Sequence, residues 1–492
     1  MSRIVVLLLA CLFVAPLASA DESGWWPQFR GPNGRGVSSD EHRLPVEFGP
    51  SKKVLWKTAL PEGHSSPCIW SDRIFLTSFT ESDQKLEALC LDRRSGQILW
   101  RRAAPAERIE SVHTISSPAA STPVSDGQRV YVYFGSFGLL CYDFNGNVVW
   151  QKPLAFPQAE FGSGTSPMLF GDLLILNDQG EGSPLLAVSR QSGETAWTHK
   201  IGIGYSVPVV WRNNDVEELI VLSKNRLTSF QADGTQRWFV DGLPSDAITT
   251  PVIGDGLLFV NYTNPGGDQQ DRTLEPFGRA LEKYDKNKDS LLARDELPTD
   301  LVFIDRGIGQ AGKPGGDLTI QSFFARIAGD DQKLDEIEWN RMRRPNPNRT
   351  SALWAIRPVA KGVYDESQRV WQTQRGLPEI PSPLYYRGHL YFVRKGGIAS
   401  CLEGRTGKVA YQQRLPVPGS YYSSPIAGDG KIYVASENGA LIVIEAGPRL
   451  NLLAKNVLGE RIMATPAIAS GTLFVRTEKT LFAFRETDDG GD

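Results

Sequence analysis

Histidine, cysteine and methionine are scarce in this chain: five, five and four among 492 residues. No Cys/His spacing of the zinc type occurs, which removes the common structural and catalytic zinc centres. Charge of one sign is also missing. Lys and Arg number 53 and Asp and Glu 56, for a net charge of −3, so composition gives no bulk case for nucleic acid or an anionic membrane surface. Beyond residue 20 no apolar run is long enough to span a bilayer. No Ser/His/Asp set, phosphate-cradling glycine loop or carboxylate pair stands out. What the chain has is punctuation: 48 Gly and 32 Pro, too many for a helical protein and suited to short strands joined by turns. Aromatic content of 10%, with 12 Trp, calls for a folded core.

Residues 1–20 read as a signal peptide. Arg3 supplies the charged start, IVVLLLACLFVAPL the apolar run, and Ala18-Ser19-Ala20 the small-x-small cleavage site. The expectation is export to the periplasm or outside the cell. Leu8-Leu9-Ala10-Cys11 has the outline of a lipoprotein box, but apolar sequence continues past Cys11. Four cysteines then remain, Cys68, Cys90, Cys141 and Cys401, and three share one place in a repeat (CLD, CYD, CLE). Equivalent places in different repeats are held apart, so small buried thiols are expected rather than a disulfide framework. Residues 21–50, Gly/Pro-rich with Trp25, Trp26 and Phe29, have neither period and read as an extended segment lying on the surface.

The repeat is a short apolar strand, an acidic residue, a turn closed by Gly, and a strand ending in an aromatic. ALCLDRRSGQILW ends at Trp100, LLCYDFNGNVVW at Trp150, PLLAVSRQSGETAW at Trp197, LTSFQADGTQRW at Trp238 and ASCLEGRTGKVAY at Tyr411. A second mark, a small or hydroxyl pair before proline, appears eight times, at Pro67, Pro123, Pro167, Pro208, Pro251, Pro383, Pro425 and Pro466. Its spacing is about 40 residues except once, the range of a four-stranded propeller blade, and proline suits the first residue of a strand. The last repeat lacks its final strand, while KKVLWKTAL with Trp56 is spare near the N-terminus. Closing the ring with that strand removes both sheet edges. The expected fold is an all-β eight-bladed propeller. Blades 1–4 and the start of blade 5 span 51–263, and the rest of blade 5 with blades 6–8 spans 351–492. Blade 7 is the weakest match, since its repeat has no terminal aromatic.

The single spacing break, residues 264–350, is charged and helix-patterned and reads as a domain inserted between the second and third strands of blade 5. Within it, residues 285–296 fit a twelve-residue calcium loop. Asp285, Asn287, Asp289 and Glu296 stand at positions 1, 3, 5 and 12, and Leu291 at position 7 offers its carbonyl. A hard cation that takes six to eight oxygens needs such a set. Ser290 stands where the turn wants glycine, and Ala293 leaves position 9 to water. A second loop ending at Glu338 has Ile327 and Gly329 at positions 1 and 3, Asp331 at 5 and Leu334 at 8. It reads as a degenerate partner that packs on the first. The stretch from Leu274 to Arg344 resembles an EF-hand pair.

The repeat, carried most fully by ALCLDRRSGQILW and ASCLEGRTGKVAY, resembles the eight-bladed quinoprotein-type family over nearly all the chain outside the insertion. That family includes pyrroloquinoline-quinone (PQQ) alcohol and glucose dehydrogenases and non-enzymatic relatives such as the BamB scaffold of outer-membrane assembly. The resemblance implies a structural role for the repeat Trp. Its dehydrogenases carry a vicinal Cys-Cys disulfide beside the quinone, and no two cysteines are adjacent here. No catalytic residue is carried over. The expectation is a calcium-binding scaffold or binding module, with a PQQ-dependent oxidoreductase as the alternative.

In such a blade the connection between strands two and three shares a face with the connections between blades. The insertion therefore belongs to the face that holds His64, Tyr205, Asp246, Glu379, Tyr421, Tyr422 and Arg461. These are the candidate ligand mouth, for a protein or small-molecule partner.

Overall fold

The computed structural model describes residues 24–486 apart from 158, 160, 214–215, 244–246, 264–273, 305–317, 322–323, 325–327, 329–330, 344–350, 358–361 and 375. The signal-peptide reading, Cys11, Asp246, Ile327 and Gly329 lie outside the described residues. No helix among those described is long and apolar enough to cross a membrane.

The chain folds as an eight-bladed β-propeller of antiparallel sheets. Blade 1 runs from the channel outward through Cys68–Trp70, Arg73–Thr80, Lys85–Asp92 and Ile98–Ala103. Blades 2, 3, 4, 6 and 7 repeat that order in unbroken chain segments. Blade 5 joins Val252–Gly254 and Leu257–Tyr262 to Ala352–Ile356 and Arg369–Thr373. Blade 8 takes Ala467–Ala469, Thr472–Arg476 and Thr480–Arg485 from the end of the chain and its outer strand, Val54–Ala59, from the beginning. Trp56 faces Ala483 in that pairing.

The repeat has a physical reason at each place. Asp92 accepts from the backbone N–H groups of Arg94 and Ser95 and so shapes the turn. Gly96 has φ +72, and a Cβ there would fall 2.4 Å from the Trp56 ring. Gly146 stands in the same relation to Trp100, Gly193 to Trp150, Gly234 to Trp197 and Gly407 to Trp371. Five outer-strand Trp residues also donate their indole N–H to the next blade, to a carbonyl in its polar turn. Trp56 reaches Arg93 at 3.0 Å, Trp100 Phe144 at 2.9 Å, Trp150 Arg190 at 3.1 Å, Trp197 Ala232 at 2.9 Å and Trp371 Gly404 at 2.9 Å. The cysteines are explained by the same aromatics. Cys90, Cys141 and Cys401 stand opposite Trp100, Trp150 and Tyr411 on the neighbouring strand, where the ring leaves room for a small side chain. All four described cysteines are buried and free. Burial pushes Cys90, Cys141 and Cys401 up to about 12, which keeps them as inert thiols.

The seam between blades 4 and 5 departs from this pattern. The link between the third and fourth strands of blade 5 is long, and its Gly362–Val363 adds a fifth, parallel strand to blade 4 beside Trp238. Without a tight turn to dock on, Trp238 donates to the buried carboxylate of Glu218 at 2.7 Å, which Ser229 also reaches at 2.6 Å. In blade 7, Ala454 takes the aromatic's place opposite Val443.

The N-terminal segment lies across the ring with several of its polar side chains exposed and Trp26 buried beneath it. It crosses the end of the ring opposite the blade-to-blade connections. Trp26 and Ile69 exchange backbone hydrogen bonds at 2.9 and 2.7 Å, Ser125 donates to the Pro27 carbonyl, and Ala427 to that of Gly36. Trp26 and Arg30 are both 0% exposed. Gly31, at φ +66, lets the chain turn over the Trp26 ring, where a Cβ would clash at 2.5 Å. Two large apolar rings and the ends of the inner strands attract this segment, and burying that area outweighs the ordering of a stretch with no period of its own.

Candidate functional site: the channel mouth and the inserted loop

The eight small-hydroxyl-proline steps converge on the axis of the ring. The second residue of each step faces the channel: Ser66, Thr122, Ser166, Val207, Thr250, Ser382, Ser424 and Thr465. Their backbones form a belt in which each N–H donates to the next blade's hydroxyl. The links run from Ser66 to Thr122 (2.9 Å) and from Thr122 to Ser166 (2.9 Å). They continue from Thr250 to Ser382 (2.9 Å) and from Ser382 to Ser424 (3.0 Å). Ser424 to Thr465 (3.0 Å) and Thr465 to Ser66 (3.1 Å) close that side. Blade 4 interrupts the belt: Val207 offers Ser166 no oxygen, and its own N–H is not among those that donate to the next blade's hydroxyl.

Phe29, carried by the N-terminal segment, lines the cavity with these residues, so the channel is floored at that end. The cavity measures about 140 Å³. Above the belt its wall is made by His64, Tyr205, Tyr422, Ile248, Ile380 and Met463. His64 is pushed down to about 3 by burial, with the charges of Arg461 and Arg476 adding to it, so its imidazole is neutral.

Of the expected mouth residues, His64, Tyr205 and Tyr422 therefore meet in one cavity. Glu379 and Tyr421 border a smaller recess beside it, with Lys395 and Tyr422. Tyr421 is 3% exposed and donates its hydroxyl to the Val417 carbonyl at 2.7 Å, so its ring belongs to the packing of blades 6 and 7. Arg461 is held by Glu437 at 2.7 Å. The belt and Phe29 complete the lining. In the sequence the only signal of the belt is the proline step, which equally marks a strand start.

Two further acids sit near this face. Glu110 accepts from the N–H and hydroxyl of Ser163, at 2.9 and 2.6 Å, and Asp178 accepts from Tyr133 at 3.1 Å. Burial raises both carboxyls above their usual range.

The insertion leaves blade 5 after Leu257–Tyr262 and returns at Ala352–Ile356. Helix Phe277–Tyr284 and helix Glu336–Arg343 share a core with Leu292, Phe324, Leu334 and the fully buried Trp339. Leu292 pairs with Leu334 across a short antiparallel ladder that joins the two loops. In the first loop Asp285 accepts from the N–H groups of Lys288 and Ser290, Asn287 from Asp289, and Asp289 from Leu291. Glu296 accepts from Lys286, Asn287 and Ala293. Ser290 takes the left-handed conformation, φ +65, that its place in the turn demands. Lys333 of the second loop reaches Asp289 at 2.5 Å. Among the described residues no three His, Cys, Asp or Glu side chains converge as a metal shell.

Comparison with known proteins decides the family. A family model described as outer membrane protein assembly factor BamB, of the PQQ-like repeat type, matches residues 31–216 and 362–449, more than half of the chain. The chain belongs to this family. The unmatched interval, 217–361, contains the insertion and the irregular seam of blades 4 and 5. Among solved structures, BamB from Moraxella catarrhalis superposes with a TM-score of 0.53 at 10% identity, over 88% of this chain and 99% of that one. The quinohemoprotein alcohol dehydrogenase ADHIIG from Pseudomonas putida HK5 superposes with a TM-score of 0.51 at 12% identity, over 94% and 80%. At such identities the likeness is one of fold. Comparison with curated proteins finds no match.

Proposed function

We propose that this PQQ-like propeller is an exported binding or scaffold module, with its recognition surface on the face that carries the insertion. The observation behind this reading is the channel itself. It is floored by Phe29 at one end and walled by His64, Tyr205 and Tyr422 toward the other. Rigid rings with one such mouth suit recognition, because the partner meets a surface already ordered. Export rests on the signal-type sequence of residues 1–20.

The residues of the first inserted loop fit a calcium ion. Asp285, Asn287, Asp289 and Glu296 supply hard oxygen donors at the required spacing, and the ladder from Leu292 to Leu334 braces the loop against its partner. In an exported protein a permanently filled loop would act as a staple for the insertion.

The size of the channel favours the binding-module reading over the quinone-dependent alternative. A cavity of about 140 Å³ is well below the roughly 300 Å³ at which pockets for drug-sized ligands begin.

A photo-crosslinking residue placed at Lys395 or Tyr422, on the mouth, and at Arg94 or Asn145, on the opposite face, tests the proposal in cells. Adducts confined to the mouth positions are expected. A stoichiometric quinone band that survives gel filtration, after incubation with quinone and Ca²⁺, overturns it in favour of an oxidoreductase.

A further inference from the structure

Two arginines are buried without a carboxylate partner among the described residues, and each bonds a residue that adjoins the belt. Arg476, 1% exposed, gives its guanidinium to the Ser65 carbonyl (3.1 Å), the Ser65 hydroxyl (2.6 Å) and the Thr77 carbonyl (2.8 Å). Ser65 adjoins Ser66 of the belt. Arg30, 0% exposed, donates to the Pro383 carbonyl at 2.5 Å, next to Ser382 of the belt. Its Nε and Nη1 have no partner, nor has Nε of Arg476. Neither guanidinium forms an ion pair among the described residues. A buried cation faced only by neutral oxygens is costly unless an opposite charge lies near. Burial pushes both down, to about 9, which still leaves them charged at neutral pH.

The belt supplies the second observation. Six of its hydroxyl oxygens, those of Ser66, Thr122, Ser166, Ser382, Ser424 and Thr465, each accept a backbone N–H from the neighbouring blade. None donates to a protein acceptor among the described residues. With an accepting site engaged, each hydroxyl has its proton left for the lumen. The channel is thus ringed by donors, and among the described residues no Asp or Glu lines it. A cation would find two positive charges behind the wall. An acceptor that carries negative charge would find converging donors and a favourable field.

We infer that the channel is a binding site for one small oxyanion, of the phosphate, sulfate or carboxylate class, held by the inward hydroxyls of the belt in the field of Arg30 and Arg476. This deepens the reading of the mouth as a recognition surface and rests on it, while naming a ligand at a deeper level of the same opening. The cavity of about 140 Å³ admits an ion of a few heavy atoms with its water. The site is open at blade 4, where Val207 offers no donor, so the ion would sit toward the blades 6, 7, 8 and 1 side. His64, kept neutral there, retains one ring nitrogen as a donor.

Calorimetric titration of the full chain with sodium phosphate, sulfate and acetate, against sodium chloride at matched ionic strength, tests the inference. Saturable one-to-one binding of at least one oxyanion is expected, and the three arms separate tetrahedral from planar ions. Ser382→Val and Thr465→Val remove one donor each and copy what Val207 does naturally. Each is expected to weaken binding about tenfold or more, the usual size of a hydrogen bond to a charged group. Thr406→Val, on an exposed turn, should leave binding unchanged. Far-UV circular dichroism checks that the variants fold. Should one belt variant fail to fold, the other still decides. Heats no larger than the chloride control overturn the inference, as does binding that neither belt variant weakens. If oxyanions do not bind while crosslinks stay confined to the mouth, this inference alone has failed. If oxyanions bind but crosslinks are not confined to the mouth, the recognition reading has failed.

Discussion

The backbone N–H of Thr465 donates to the hydroxyl of Ser66 at 3.1 Å, across 399 positions of sequence. This bond joins the inner strand of blade 8 to that of blade 1. It is one of six such links that tie the blades at their innermost radius, while the indoles of Trp56, Trp100, Trp150, Trp197 and Trp371 tie them further out.

Removing one belt hydroxyl leaves a buried N–H without its acceptor. Ser424→Ala strands the N–H of Ser382, and the expected loss is about 1–3 kcal/mol. The midpoint of urea unfolding should fall with its slope unchanged. An unaltered midpoint would mean that water in the channel replaces the hydroxyl.

Glycines of the repeat separate backbone strain from packing. Gly96→Ala meets both the left-handed conformation and the Trp56 ring at 2.4 Å. It should cost about 2–5 kcal/mol, the sum of the two effects. Gly171 has φ +58 and nothing within 4 Å of a new Cβ, so Gly171→Ala should cost only about 1 kcal/mol. Equal losses for the two would deny the indole its packing role.

Calcium should stabilise the insertion specifically. Trp339 is fully buried between its helices and reports its unfolding by fluorescence. Saturating calcium at a hundred times its dissociation constant adds about 2.7 kcal/mol. A chelator should lower that melting transition, and Glu296→Gln should remove the difference. The Gln variant keeps an oxygen for the backbone N–H groups but loses the charge. A chelator-insensitive transition in the native chain would defeat the calcium reading.

Acid titration offers a sign test. Burial raises Glu110 in the folded state although Ser163 opposes it. Between the ordinary carboxyl value, about 4.3, and the raised folded value, the folded chain holds more protons than the unfolded one. Stability is therefore lost as pH rises through that window. Glu110→Gln has no proton to give up, so its stability relative to the native chain should improve from pH 4 to pH 7 in thermal melts. His64 works in the opposite direction. Its folded value is lowered, so below about 6.5 the unfolded chain binds the extra proton and stability falls with acid. His64→Asn should be less sensitive to acid than the native chain.

The ring was legible because one residue type marks one place in every blade. Pro67 and its seven counterparts start the inner strands, and Trp56 announced the strand missing from blade 8. The belt was hidden because its meaning exists only when eight inner strands face one another. Ser66 and Thr465 carry no sign that they meet. The floor was hidden for a related reason. Residues 21–50 have no period, since their form is dictated by the ends of strands supplied by later parts of the chain. Glu218 as the partner of Trp238 could not be foreseen either, because the usual docking turn is lost only through a long link more than a hundred residues away. Aromatics just before a proline step looked alike in sequence, yet Tyr421 turns into the packing and Tyr422 toward the channel.

The pairing of Val54–Ala59 with Thr480–Arg485 has a consequence in time as well as in space. A chain made from its N-terminus presents that outer strand first and its partner last. Blade 8 cannot exist until nearly every residue is available, and such distant pairing is slow. Until then Val54–Ala59 and the strands of the last repeat are open edges, liable to pair with other chains. The closing pair thus acts as a check on completeness. A copy cut short before Thr480 would keep most of its blades and still be unable to hide its ends.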